Sequence, residues 1–184
     1  MTVTILDETN RPKAPPIPGA TAQHRQRGRH LADVHRMHLS HMDDVRRTLD
    51  QVAKGLAEPK DAAAAVGDLQ MLRNFRMSGA MCGQQCGILN SHHTIEDRSL
   101  FPLLHAKGSE GLRKVVEKLQ AEHLVVHALL EELEADAAAL TRMPCEPAFR
   151  KLQATFARLD AVVRSHFGYE ETELEEALGY YGVV

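Results

Sequence analysis

Three pairs of histidine and glutamate side chains, each pair separated by four residues, recur within apolar stretches of this chain. The pairs are His92 with Glu96, His123 with His127, and His166 with Glu170. On an α-helix this spacing places both side chains on one face, with their Cβ atoms about 5–6 Å apart. None of the pairs contains a lysine or an arginine, so none is explained as a surface salt bridge. They therefore predict long helices that present metal ligands.

Apolar residues recur at intervals of three and four along four segments, and no segment alternates convincingly as a strand does. The first predicted helix begins near residue 27 and ends before Pro59, and residues 61–66 suit a short helix of their own. The other long helices are predicted over residues 68–105, 112–140 and 149–174. Short loops make neighbouring helices antiparallel, so the expected fold is all-α, an up-down-up-down four-helix bundle.

The first 26 residues contain four prolines and lack hydrophobic periodicity, which predicts a flexible arm over residues 1–26. Residues 27–184 are predicted to form one domain, since a hydrophobic content of 43% is enough for a core at this length. The net charge of −3 and the lack of basic clusters argue against nucleic acid and anionic membranes as partners. With no secretory signal and no apolar run of roughly 18 residues, we expect a soluble cytoplasmic protein. A homo-oligomer stays open.

The expected bundle places the candidate ligands in one layer. His35 lies early in helix one, the pairs of helices two and four lie late in those helices, and the pair of helix three lies in its first half. These positions fall at the same end of an up-down-up-down bundle. Burying five imidazoles and two carboxylates without a partner is very unfavourable, so a metal is expected among them. The candidate ligands are His35, His92, Glu96, His123, His127, His166 and Glu170.

The number of ligands favours two iron ions over one zinc ion, which takes about four ligands. Two roughly octahedral ions offer about twelve positions. Five imidazoles, two bridging carboxylates and a bridging oxide or hydroxide leave about one position open. Imidazole and carboxylate are both acceptable to iron, so the count predicts a di-iron centre that accepts a small ligand.

Three motifs resemble those of the hemerythrin-like family, the HHE cation-binding domain. Residues 92–102 resemble its second-helix motif, residues 122–130 the third, and residues 166–174 the fourth. The resemblance covers roughly residues 30–178. It implies a non-haem di-iron centre in which one first-helix histidine joins the four other histidine ligands, and Glu96 and Glu170 bridge the ions. Members of this family bind dioxygen reversibly, sense oxygen or redox state, respond to nitric oxide or peroxide, or handle iron.

Several assignments stay open. The helix pattern favours His35 over His38 as the first-helix ligand, with His38 as an extra ligand or a hydrogen-bond donor. His93 and Asp97 either hydrogen-bond ligand imidazoles or lie on a solvated surface. Tyr169 either closes the site or packs. Two features of helix two stay open as well. Cys82 and Cys86 are either buried small side chains or residues with a redox or second metal role, and the stripe of Gly79, Gly83 and Gly87 marks either a close approach of another backbone or a break in the helix.

The leading functional hypothesis is a di-iron protein that binds dioxygen, nitric oxide or peroxide at one open iron position. A di-iron oxidoreductase acting on peroxide is the first alternative, since no general base is readable and the chemistry would rest on the metal. Iron storage, or a bundle that holds a structural metal, is the second. Whether the chain is an enzyme stays open at this point.

Overall fold

The computed structural model describes residues 6–68 and 92–183, and they contain helices and no strand. The helices are α1 (Ala22–Gly28), α2 (His30–Ala53), α3 (Pro59–Gly67), α4 (His92–Ile95), α5 (Phe101–Lys107), α6 (Glu110–Arg142) and α7 (Glu146–Tyr181). The all-helical class is confirmed, whereas the up-down-up-down order and the domain boundary at residue 27 stay predictions. None of the described helices combines the length and apolar content needed to cross a bilayer.

The first helical segment starts earlier than expected, because Thr21 caps α1. The Thr21 hydroxyl accepts a hydrogen bond from the His24 backbone N–H, and the His24 side chain accepts one from the Thr21 backbone N–H. This reciprocal pair satisfies two backbone donors at the helix start. The predicted short helix at residues 61–66 is confirmed as α3, with Pro59 in its first turn, where a missing N–H is harmless.

The described residues form two compact units. The first unit comprises residues 6–36, 92–125 and 162–183, and the second comprises residues 37–68 and 126–161. The buried core of the first unit is built from α2, α5, α6 and α7 and consists of Leu31, Phe101, Leu104, Leu112, Val115, Val116, Leu119, Tyr169, Leu174, Ala177 and Leu178. In the second unit, the buried Asp136 carboxylate accepts hydrogen bonds from Thr155 at 2.8 Å and Lys151 at 2.6 Å.

A π-helical turn, Glu96–Leu100, joins α4 to α5. The Phe101 backbone N–H reaches back to the Glu96 carbonyl oxygen, five residues earlier. Pro102 follows directly, and a proline in a regular helix removes a hydrogen bond and clashes with the carbonyl four residues before it. The wider turn accommodates this proline, and it begins at a candidate ligand. Such turns are frequent at functional sites.

Two glycines let the backbones of α1 and α7 approach closely. A Cβ atom on Gly28 would lie 1.9 Å from the Glu175 carbonyl oxygen, and one on Gly179 would lie 1.7 Å from the His24 carbonyl oxygen. Real Cβ atoms never approach backbone oxygens this closely, so any side chain at either position must push the helices apart. The contact fixes α1 against the end of α7.

We expect Gly179→Ala to lower the free energy of unfolding by about 1–3 kcal/mol, because the added methyl group overpacks this contact. Gly168→Ala is the matched control on the same helix, since a Cβ there meets no atom within 4 Å. That control should be neutral or slightly stabilising, because alanine favours helix by about 1 kcal/mol over glycine. Urea unfolding of the two variants measures both effects. Equal stabilities would contradict the close approach.

Candidate metal centre

Two buried glutamates of the first unit each lie between two histidines. Glu96 Oε1 is 3.1 Å from His92 Nδ1, and Glu96 Oε2 is 3.5 Å from His123 Nε2. Glu170 Oε2 is 3.4 Å from His35 Nε2 and 3.8 Å from His166 Nε2. Both glutamate residues are at most 2% exposed, and none of their carboxylate oxygens has a hydrogen-bond partner among the described residues. Buried anionic oxygens of this kind need a cation or a proton.

The ligand atoms gather into two sets, within each of which they lie no more than 4.8 Å apart. One set is formed by His35, His92, Glu96 and Glu170, and the other by His93, His123 and His166. The imidazoles of His35 and His92 approach each other to 2.8 Å through their Nε2 atoms. The ring of His93 stacks on that of His123, with centroids 3.9 Å apart. The sets are linked because each glutamate contacts a histidine of the second one.

Three of these histidines are oriented by carboxylates on their outer side. The Nδ1 atom of His35 donates to Glu171 at 2.7 Å, that of His123 to Asp97 at 3.0 Å, and that of His166 to Glu122 at 3.1 Å. Each bond places the proton on Nδ1 and leaves Nε2 as the ligand atom facing the glutamates. An acceptor of this kind usually fixes the tautomer and orientation of a metal-bound imidazole. The donor set therefore fits a metal centre.

The two central carboxylates titrate as a pair. Burial raises the pKa of Glu96 well above its usual value, and the nearby Glu170 charge raises it further. Burial acts on Glu170 in the same direction, but the nearby imidazoles of His35, His166 and His92 outweigh it and lower its pKa. Without a cation, one carboxyl group therefore keeps a proton while the other is ionised. A cation bound between them would take the place of that proton.

The surroundings of the centre keep His166 neutral and place aromatic rings against two other histidines. Burial lowers the pKa of His166, which leaves its imidazole unprotonated and able to bind metal. Phe167 stacks face to face on His35 with ring centroids 3.8 Å apart, and Phe101 lies 5.3 Å from the His123 ring. An apolar wall of this kind limits water access and strengthens electrostatic interactions at the centre.

Six of the seven predicted ligands lie together in the first unit: His35, His92, Glu96, His123, His166 and Glu170. The seventh, His127, is half-buried and belongs to the second unit, outside both sets of ligand atoms. His38 is buried and also belongs to the second unit. Of the two candidates on α2, it is thus His35 that contacts Glu170. Two predicted features, the Cys82–Cys86 pair and the glycine stripe at Gly79, Gly83 and Gly87, lie outside the described residues.

Several residues that matter here were left open or missed by sequence reasoning. His93 is buried rather than solvated, and Asp97 takes the hydrogen-bonding role that the sequence left open for it. Tyr169 packs in the core, and its hydroxyl donates to the Pro12 carbonyl at 2.7 Å. Glu122 and Glu171 were missed, although each adjoins a predicted ligand in the sequence. Their position next to a predicted ligand is the sequence signal that could have identified them.

One of three comparisons with known proteins found a match, and it agrees with this geometry. A search of curated proteins returned no match, and neither did a search of solved structures. The family model described as hemerythrin HHE cation binding domain matches residues 29–178, which is most of the chain and includes all of the ligand positions above. The clustered histidines and glutamates are consistent with this match, and the chain belongs to the hemerythrin HHE cation-binding domain family.

Proposed function

We propose that this chain is a non-haem di-iron protein that binds dioxygen, or a related ligand such as nitric oxide or peroxide. The observation that carries the proposal is the pair of buried glutamates, each placed between histidines of different helices. Two carboxylates in this position suit the bridging of two cations. The membership of a cation-binding family supports the same conclusion.

The proposed ligands are five imidazoles and two carboxylates. His35, His92, Glu96 and Glu170 would hold one ion, and His93, His123 and His166, with the same two glutamates, would hold the other. The number of ligands is the one expected from sequence, with His93 in the position that the sequence assigned to His127. This choice is supported by the stacking of His93 on His123 and by its 5.4 Å ring distance from His166.

Iron is the proposed metal because the donors are imidazoles and carboxylates, with no thiolate in either described set. When bound, iron supplies a redox-active ion with a position open to a small ligand. The protein supplies the rest: the outer carboxylates hold the ligand nitrogens inward, and Phe167 and Phe101 keep the centre apolar.

Anaerobic addition of Fe²⁺ to the metal-free chain, followed by exposure to air, tests the proposal. We expect about two irons per chain and charge-transfer absorption that appears only after air is admitted. One iron per chain, or none, would contradict the dinuclear centre. Preferential retention of zinc, with a spectrum unchanged in air, would instead indicate a structural metal. Many irons per chain would indicate storage.

A further inference from the structure

A segment that precedes the matched family region reaches the metal centre. Residues 8–17, here called the strap, contact α6 and α7 of the first unit. Backbone N–H groups of the strap donate to two glutamates of α7, from Ala14 to Glu173 at 2.6 Å and from Ile17 to Glu176 at 2.5 Å. The predicted arm therefore contains a segment with specific contacts, and its prolines favour an extended backbone with few conformations to lose.

Arg11 is the strap residue that points toward the centre. Its Nε and one terminal nitrogen donate to the two oxygens of Glu122 at 2.9 and 3.0 Å, and its other terminal nitrogen donates to Ser165 at 2.9 Å. The side chain is 11% exposed, and its guanidinium lies 4.7 Å from the Tyr169 ring centroid. Each of the three guanidinium nitrogens thus has a hydrogen-bond partner in the first unit. A planar fork held in this way fixes the plane of the carboxylate it binds.

Glu122 in turn hydrogen-bonds to His166, a proposed ligand of the centre. The same Oε2 atom that accepts from Arg11 also accepts from His166 Nδ1 at 3.1 Å. Lys118 is the other cation near this carboxylate, but its Nζ lies 3.8 Å from Oε1, beyond hydrogen-bond distance, and its side chain is partly exposed. Arg11 is thus the cation that bonds to both oxygens of Glu122.

We propose that Arg11 is a positioning residue of the metal centre, which holds the Glu122 carboxylate and through it the orientation and tautomer of His166. The inference rests on the proposed function, because it assigns His166 as a ligand. It extends the centre beyond the matched range of 29–178 to a segment that begins at residue 8. The strap is then part of the metal-binding unit rather than a dispensable arm.

A double-mutant cycle on the full-length chain tests this proposal. Arg11→Gln should weaken binding about 10- to 100-fold, the range found when the hydrogen-bond partner of a metal-bound histidine is lost. Affinity is measured for Co²⁺ alone, by competition with a chelator, and the visible Co²⁺ spectrum reports the coordination geometry. Glu122→Gln should weaken binding to a similar extent. Because both act on His166 in series, the double variant should be no weaker than Glu122→Gln alone.

Two further variants separate positioning from folding. Arg11→Lys keeps the charge but not the paired hydrogen bonds, so its affinity and Co²⁺ spectrum should fall between those of Arg11→Gln and the unmodified chain. Should Arg11→Gln fail to fold, a lower affinity in folded Arg11→Lys than in the unmodified chain supports the proposal, and an unchanged affinity overturns it. Arg29→Gln is the matched control, because it removes an arginine that pairs with Glu175 of α7 but is 69% exposed. It should leave the affinity unchanged.

The outcomes distinguish this inference from the proposed function. Failure of the unmodified chain to bind two cations would refute the proposed function itself. Normal binding by that chain, with unchanged affinity in Arg11→Gln, would overturn the role of Arg11 alone. Additive losses in the Arg11→Gln and Glu122→Gln double variant would also overturn it, because they would show that Arg11 acts by some other route than Glu122.

Discussion

The Glu96→Gln variant is expected to lose the dinuclear site while its metal-free form becomes more stable than the unmodified chain. Glutamine keeps the shape of the side chain but cannot bridge two cations as an anion. It also removes a buried acid that has no hydrogen-bond partner among the described residues and that faces Glu170. Because glutamine does not have to hold a proton, it avoids the free-energy cost of the raised pKa, which is about 1–3 kcal/mol at pH 7 and corresponds to about 2–12 °C in Tm for a chain of this size.

The pH dependence of this effect has a defined sign. The pKa of Glu96 is raised in the folded chain, so the folded state holds its proton at pH values where the unfolded state has released it. Stability therefore falls as the pH rises from the usual glutamate range toward the raised pKa. The advantage of Glu96→Gln should be smaller at pH 5 than at pH 7.

Denaturant unfolding of the metal-free proteins at the two pH values, together with iron analysis, measures both effects. Glu117→Gln is the matched control, because this glutamate of α6 has a side chain that is 64% exposed. It should change neither iron content nor stability by much, as is usual for surface substitutions. A Glu96→Gln variant that still binds two irons, or that is less stable than the unmodified chain at pH 7, would contradict the role of Glu96.

The second large effect concerns the choice between His93 and His127. His93→Gln should lower the binding stoichiometry from two ions toward one, because it removes one of the three imidazoles that gather at the second position. His127→Gln should retain both ions, since His127 lies outside both sets of ligand atoms. Iron analysis after reconstitution, with His105→Gln as a half-exposed histidine control, measures the difference. Loss of an ion in His127→Gln, with full binding in His93→Gln, would reverse the assignment and favour the ligand set predicted from sequence.

Because the His93 ring stacks on the His123 ring, glutamine is a better replacement than alanine for His93 in this experiment. The His93 ring lies against that of His123, so a large cavity there would disturb a second ligand as well. Thermal unfolding of the metal-free variants shows whether the fold is intact. A variant that loses one ion while its metal-free Tm is retained has lost a ligand rather than its structure.

Local helix geometry explains how much of the metal centre could be predicted from the sequence. A spacing of four residues fixes that His92 lies beside Glu96, and His166 beside Glu170, wherever the helix ends up. The apolar stripes around them show that these faces are buried. Six of the seven ligands predicted from the sequence therefore lie close together in the first unit, and the all-helical class follows from the same periodicity.

Sequence by itself thus determined the all-helical class, the family and which side chains lie next to each other on one helix, because these depend on patterns within a few residues. The grouping that favours His93 over His127 appears only in the tertiary structure, since it depends on how α4 is rotated toward α6, and a turn of about 100° per residue separates neighbouring positions. Likewise, Arg11 reaches Glu122 across 111 residues of chain. Such pairings depend on packing between distant segments, for which periodicity carries no signal.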